Sequence, residues 1–553
     1  MSAKVLKKGE MMRRSVSIFL AILLILGGLI LVGCDLFGDN GGDSGSHRKV
    51  NFTTGSGPLL SIVSGSENKE LEPILSKYTA KNKVKIEVTY LGSLDIMNML
   101  RTGSVPYDAL WPASSMWLTM GDKKRILKHT SSISNTPIVF GITESKAREL
   151  NLNRDDVKLR DIIDVIERGK LSFAMTSATQ SNSGASSYLA FLTALAGEGE
   201  VLQDADLDDP QLVEEIKTLL AGVNRSSGSS NWLVDLFLEG NYDAMVNYEA
   251  LVISANEKLR AAGRETLVAI YPKDAISLAD SPLAFVSGSG REDKEKLFLD
   301  LQNYLLEEST QREIVATGRR DAYGRIYADQ KEVFTRWGID TERILAPITM
   351  PRAETVERAL NLYQTSFKKP GYTVYVLDYS GSMIGAGRTQ MLNGLAELLL
   401  ENRARQHLLQ GTPKDRSYFI SFNSGIIDTF AAMGNSSELE NAYNRLRKID
   451  AGGGTDMYIA LSAALDIFEK DRNELSKYQP AIVVLTDGVS ATSWKQEFFD
   501  AYEATGLDIP IFSITYGSAD ASQLEDLAQL SRARVFDGRK DLTAAFKSVK
   551  GYN

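Results

Sequence analysis

Tyr372-Thr373-Val374-Tyr375-Val376-Leu377-Asp378-Tyr379-Ser380-Gly381-Ser382 is a β-branched and aromatic run that ends abruptly in an acid, two hydroxyls and a glycine. Such a run favours an extended strand. Its near-continuous apolar character marks a strand covered on both faces, as in a largely parallel sheet. Three further runs of this kind follow at 417–422, 481–485 and 509–515, and a long helical pattern spans 389–406. Strands that alternate with helices predict a doubly wound α/β, Rossmann-like domain over 371–553. Ligands of such sheets sit beyond the carboxyl ends of the strands, where the 378–382 loop falls. Alternate residues of that loop face one side, so Asp378, Ser380 and Ser382 offer one carboxylate and two hydroxyls to a common point. Hard oxygen donors of low total charge suit Mg²⁺ or Mn²⁺, with Ca²⁺ as a variant.

Two later segments extend this loop. Gly452-Gly453-Gly454-Thr455-Asp456 and Thr486-Asp487-Gly488 each follow or precede a regular element. Together with Asp378-Tyr379-Ser380-Gly381-Ser382 they resemble the metal-ion-dependent adhesion site of von Willebrand factor A domains. The resemblance implies that Asp378, Ser380, Ser382, Thr455 and Asp487 surround a divalent cation. It also implies that an open coordination position accepts a carboxylate from a protein partner. A plainer role suits the same residues taken singly: Asp378 and Asp487 can cap helices, and the glycines can serve turns.

Upstream, from Leu59, strand and helix patterns also alternate. Leu59-Leu60-Ser61-Ile62-Val63 leads through Ser64-Gly65-Ser66 into a helical pattern at 67–78. The run 84–90 alternates like a half-buried strand, and Tyr107-Asp108-Ala109-Leu110-Trp111 is another. The order of these pieces, with 136–142, 171–176, 243–249 and 267–274, resembles the two-lobed (type II) periplasmic solute-binding proteins of bacterial ABC importers. By that resemblance 136–142 is the first crossing between lobes and 267–274 the return. The implied ligand contacts are Ser64, Ser66, Ser114, Ser115, Thr176, Ser183, Asn247 and Tyr248. Serines at helix starts can hold an oxyanion with free N–H groups, and they equally serve as N-caps. No Arg or Lys falls in these loops, and Glu249, if it faces the cleft, favours an amine or polyol over an anion. The two-lobed body is expected over 58–345. The segment 346–370 reads as a linker or as the leading helix of the following domain.

The amino terminus carries an address. Lys4, Lys7, Lys8, Arg13 and Arg14 precede 19 uncharged, mostly apolar residues that end at Leu31-Val32-Gly33-Cys34. A basic segment before an apolar one is the export pattern. Its end resembles the lipobox of bacterial lipoproteins, which implies a signal peptide over 1–33 and lipidation at Cys34. The same stretch is also long enough to be read as an uncleaved membrane span. Residues 34–57 begin with a Gly/Ser/Asp-rich stretch, expected to be a flexible tether. Both readings place the remainder outside the cytoplasm on a membrane anchor.

Composition narrows the function. At 553 residues the chain holds more than one domain. It has 62 basic and 71 acidic side chains and a net charge of -9, which becomes -13 without residues 1–33, so a nucleic-acid partner is not expected. One cysteine excludes an intramolecular disulfide or a Cys-rich zinc site. The three histidines, His47, His129 and His407, have no metal-like spacing, and no nucleophile–base motif accompanies them, so no enzyme is expected. The expected function is a membrane-anchored binding lipoprotein. Its A domain engages a protein partner through a divalent cation, and its two-lobed region recognises a small solute or a partner. The alternative is the substrate-binding component of an ABC importer with a regulatory A domain.

Overall fold

The computed structural model describes residues 50–197, 199–288, 290–406, 409–516, 521–539 and 542–551. Cys34, the signal segment and most of the tether lie outside the described residues. Among the described residues no helix is long and apolar enough to cross a membrane.

The quoted run forms strand Gly371–Asp378 in the middle of a six-stranded sheet. Arg416–Phe422 and Gln479–Thr486 flank it in parallel, and Ile511–Thr515 and Val535–Asp537 extend the sheet in parallel. Ile426–Met433 closes the other edge antiparallel. Period-two side chains divide the central strand between two cores. Tyr375 and Leu377 pack with helices Ala386–Leu399, Ser436–Leu446 and Leu542–Gly551. Tyr372, Val374 and Val376 pack with Met457–Lys470, Lys495–Thr505 and Ala521–Leu530. Both faces are therefore covered, as the apolar run requires. The helical pattern 389–406 folds as two helices, Ala386–Leu399 and Glu401–Gln406, because Leu400 takes an extended ψ of 114° that turns the chain between them.

The upstream body has two lobes, each built on its own six-stranded sheet. In the first, the order is Phe52–Thr54, Lys85–Tyr90, Leu59–Ser64, Ala109–Trp111, Pro282–Val286, Leu127–Ser132. The second runs Leu267–Ile270, Thr136–Thr143, Ala244–Tyr248, Phe173–Thr176, Val223–Ser227, and Ser277–Ala279 also pairs with Thr136–Thr143. The chain crosses between lobes just before Thr136 and returns between Ser277–Ala279 and Pro282–Val286. The expected return at 267–274 is instead an edge strand of the second lobe, Leu267–Ile270, and the chain crosses one short strand later.

Helix Ala353–Leu362 belongs with the second lobe. Val356, Ala359 and Leu360 enter its core, and the Tyr188 hydroxyl donates to the Ala359 carbonyl at 2.8 Å. An amphipathic helix goes where its apolar stripe finds a matching surface, and here that surface precedes it in the chain. Residues 50–553 form one compact unit.

Candidate metal centre and interlobe cleft

The carboxyl end of the central strand places Asp378 fully out of solvent, and the following loop turns outward so that Ser382 is exposed. The Ser380 N–H donates to Asp378 Oδ1 at 2.7 Å, which folds the loop back on the acid. Thr486 Oγ1 donates to the other oxygen, Oδ2, at 2.7 Å. Ser380 Oγ and Ser382 Oγ are 3.0 Å apart, and Ser382 Oγ donates to Asp487 Oδ1 at 2.7 Å. The loop before Met457–Lys470 is fastened alongside by two backbone hydrogen bonds: Gly452 N–H to Tyr379 O at 2.8 Å and Gly381 N–H to Gly453 O at 2.9 Å. That loop carries Thr455. A Cβ added to Gly488 would lie 3.2 Å from Ser382 Oγ and 3.6 Å from Thr455 Oγ1. Both hydroxyls thus border one small space beside Gly488. The five residues expected from the sequence are brought together, and Thr486 and Gly488 join them as supports.

Electrostatics favours a cation there. Burial pushes the Asp487 carboxyl up, the hydrogen bond from Ser382 opposes this, and the charge on Asp378 adds to it. Asp456, beside Thr455, is also buried, its carboxyl is raised by burial, and its Oδ1 has no hydrogen-bond partner. Among the described residues no basic side chain shifts either group. Acids gathered without a counter-charge are costly unless a cation joins them. Two hydroxyls, a third from Thr455, and carboxylates form an all-oxygen set suited to a hard divalent ion. Two exposed apolar side chains adjoin the site residues in the chain: Ile384, 68 % exposed, two residues after Ser382, and Val489, 62 % exposed, two residues after Asp487.

The second site lies between the lobes, and two of their contacts border it. Ser66 Oγ is 3.0 Å from Ser229 Oγ, and Asn231 donates to the Ser66 carbonyl. Gly92 approaches so near that a Cβ there would lie 2.2 Å from the Gln180 carbonyl oxygen. They enclose a cavity of about 250 Å³, whose wall includes Ser66, Glu67, Tyr90, Asp95, Gln180 and Asn182. Arg534 and Ser548 of the C-terminal domain complete that wall.

Of the eight contacts expected from the sequence, Ser66 lines this cavity. Tyr248 reaches only a smaller void beneath it, where Glu67 is also present. The other six lie outside the cavity wall, bound into the scaffold. Ser64 Oγ donates to the carbonyls of Gly65 and of Trp111, at the end of the neighbouring strand. Ser114 caps helix Ser115–Gly121, and the Ser115 N–H bonds Asp280. Thr176 and Ser183 pair at 2.7 Å in a buried hydroxyl cluster with Ser230. Asn247 donates to the Ser230 carbonyl. These groups had neighbouring backbone to satisfy, which polar groups removed from water must do. Glu249 does not face the cleft. It is fully buried, holds Arg320 at 3.0 Å and accepts from the Tyr271 hydroxyl. Basic residues do line the cavity, because Lys69 and Arg534 come from outside the loops first considered. Glu67 directly follows Ser66 and was the legible signal for the acid. Arg534 had none, since its role depends on how two domains dock.

Residues 59–361 match the family model described as bacterial extracellular solute-binding protein. Residues 374–548 match the von Willebrand factor type A domain. No curated protein matches the chain. Among solved structures, the periplasmic binding protein AfuA from Actinobacillus pleuropneumoniae, with exogenous fructose-6-phosphate bound, is 12% identical, with a TM-score of 0.43. That match covers 56% of this chain and 98% of that one. The ferric binding protein from Campylobacter jejuni is 15% identical with a TM-score of 0.41, covering 55% and 98%. A periplasmic thiamin binding protein is 12% identical with a TM-score of 0.44, covering 56% and 95%.

Proposed function

The chain belongs to the bacterial extracellular solute-binding proteins and carries a von Willebrand factor A domain behind that body, and from this premise we propose a two-site extracytoplasmic binding protein. In this reading Cys34 tethers it to a membrane by a lipid, the A domain captures a protein partner through a divalent cation, and the cleft takes a small solute. The observation that carries the A-domain reading is the convergence of Asp378, Ser380, Ser382, Thr455 and Asp487 around the space beside Gly488.

Ser380, Ser382 and Thr455 would offer hydroxyl oxygens, and Asp378 and Asp487 the carboxylates. When bound, Mg²⁺ (or Mn²⁺ or Ca²⁺) supplies a Lewis-acidic position that a partner's carboxylate can occupy. Asp378 is held on both oxygens by Ser380 N–H and Thr486 Oγ1, which orients the acid beneath the loop. Ile384 and Val489 would offer the partner's acid apolar contact beside the loop, as in a dry interface centre. The test is capture from the host's surface proteins by the full chain, with and without Mg²⁺. Capture should vanish with EDTA and with Asp378→Ala; capture that survives both refutes the metal-bridged reading.

The cavity between the lobes supports a second reading, delivery of a solute to an ABC importer. Solute-dependent binding of the chain to an importer's membrane subunits would establish it, and binding indifferent to solute would count against it.

A further inference from the structure

Glu67 opens the first helix after strand Leu59–Ser64 and lies in the wall of the interlobe cavity. Its side chain folds back over Gly65, where a Cβ would come within 2.0 Å of Oε1, so glycine makes the niche for this carboxyl. It is 8 % exposed, and Oε1 has no hydrogen-bond partner. Every other charge nearby is engaged. Arg319 donates to the Glu67 main-chain oxygen at 2.6 Å and pairs with Glu70 at 2.9 Å, so its donors do not satisfy Oε1. Lys69 stands over the Tyr90 ring at 5.4 Å, and Arg534 over the Trp232 ring at 5.6 Å. Asp95 pairs with Lys547 at 2.5 Å. The lining hydroxyls and amides are largely committed too: the Tyr90 hydroxyl donates to Glu72, and Asn182 bridges Trp117 and Tyr248.

The cavity has a third wall. The A domain is fixed to the second lobe by the buried Arg225, which reaches Asp508 at 2.7 Å and the Arg532 carbonyl at 2.9 Å, and by the Tyr242 hydroxyl on Asp508 at 2.8 Å. From that base its last helix, Leu542–Gly551, stands on both rims. Gln180 of the second lobe donates to the Lys547 carbonyl, and the Lys547 ammonium holds Asp95 of the first. Separating the lobes breaks the Lys547–Asp95 pair.

We propose that the interlobe cavity is a three-walled site for a small organic cation, its ammonium group held on the Glu67 carboxylate and its escape gated by the Lys547–Asp95 contact of the A domain. The inference rests on reading the cleft as a solute site. An ammonium brings three donors and a charge to Oε1, which has no hydrogen-bond partner, and charged hydrogen bonds are the stronger kind. An anion would meet the acid instead. Burial, opposed by the Glu67 backbone hydrogen bond and Arg319, holds the carboxyl up at about 7. Facing it are Arg319, Lys69, Tyr90, Asp95 and, from the second lobe, Tyr248. A bound ammonium would therefore displace a proton from Glu67 at neutral pH.

The experiment is calorimetry and stopped-flow dissociation on residues 50–553, using ethanolamine and 1,4-diaminobutane as probes, with ribose and acetate beside them. The amines should bind and release protons at pH 7, seen as a dependence of heat on buffer ionisation. Glu67→Gln should weaken them about tenfold or more and abolish the proton release. Lys547→Ala should quicken amine dissociation about two- to five-fold, in keeping with a partly exposed ion pair. Glu67→Asp, which keeps the charge one methylene back, should bind with intermediate affinity. Binding of ribose or acetate but of neither amine overturns the cation assignment and leaves the solute reading standing. Silence from all four probes overturns both. Amine binding indifferent to Glu67→Gln removes Glu67 from the site, and an unchanged dissociation rate in Lys547→Ala removes the third wall.

Discussion

Replacing Glu67 with Gln should flatten the pH dependence of first-lobe stability. The carboxyl moves from its ordinary 4.5 to about 7 on folding, because burial disfavours its charged form more than the backbone hydrogen bond and Arg319 favour it. An acid raised on folding costs nothing below its unfolded value, where both states carry the proton. Between 4.5 and about 7 the unfolded chain ionises while the folded one stays neutral, so stability falls as pH rises; above about 7 the cost is full and constant. At about 1.4 kcal/mol per pH unit, that window amounts to about 3 kcal/mol. The group is over nine-tenths buried, so solvent screening takes little from this figure. Gln keeps the shape and one acceptor and carries no titration. Native-state hydrogen exchange of amides in Leu59–Ser64 and Lys85–Tyr90, compared between variant and wild type from pH 4.5 to 8, reads the local free energy while intrinsic exchange rates cancel. The variant should gain on the wild type by about 3 kcal/mol across the window. A difference that stays constant with pH, or that shrinks as pH rises, refutes the argument.

Other perturbations follow from the same kind of accounting. Mg²⁺ at a hundredfold its dissociation constant should stabilise the A domain by about 2.7 kcal/mol, read as an upward shift in its melting transition. Gly488→Ala, whose Cβ crowds Ser382 and touches Thr455, should reduce that shift; a full Mg²⁺ response in the variant would show that the metal lies elsewhere. Arg225→Ala takes a buried cation from Asp508, whose carboxyl is held below its usual range against burial by Arg225, Arg532 and Tyr242. The change should cost about 3 kcal/mol at the domain junction and enlarge the particle in small-angle scattering, and an unchanged scattering profile would speak against a junction fixed by this network. Glu249→Gln leaves Arg320 buried without its counter-charge and should lower unfolding stability by about 3–5 kcal/mol in urea titrations, whereas a loss under about 1 kcal/mol would mean the pair is solvated.

Patterns that repeat over short distances were legible without coordinates. The run 372–377 announces a strand covered on both faces because each of its side chains must find an apolar neighbour. Asp378, Ser380 and Ser382 lie within five residues, so local backbone geometry nearly suffices to make them converge. Thr455 and Asp487 were reached through resemblance; the backbone bonds Gly452–Tyr379 and Gly381–Gly453 bring in Thr455, and the parallel pairing of Gln479–Thr486 with Gly371–Asp378 brings in Asp487.

Tertiary structure decided the cleft. Seven of the eight polar residues first considered there are serine, threonine or asparagine, and each of these types can satisfy itself on nearby backbone as readily as on a ligand. Nothing in their spacing says which does so; Ser66 faces the cavity while Ser64, two residues away, is tied into the scaffold. Glu67 acquires its meaning from burial over Gly65, and Glu249 loses the role considered for it because Arg320, far along the chain, packs onto it. The third wall is more distant still, since Lys547 and Asp95 meet across 452 residues only when the A domain docks on the second lobe. A chain's local periodicity records which faces must be buried, and it therefore specifies elements and sheets. Which charges remain without partners is settled only when the buried faces have met, and that residue of unsatisfied charge defines both candidate sites.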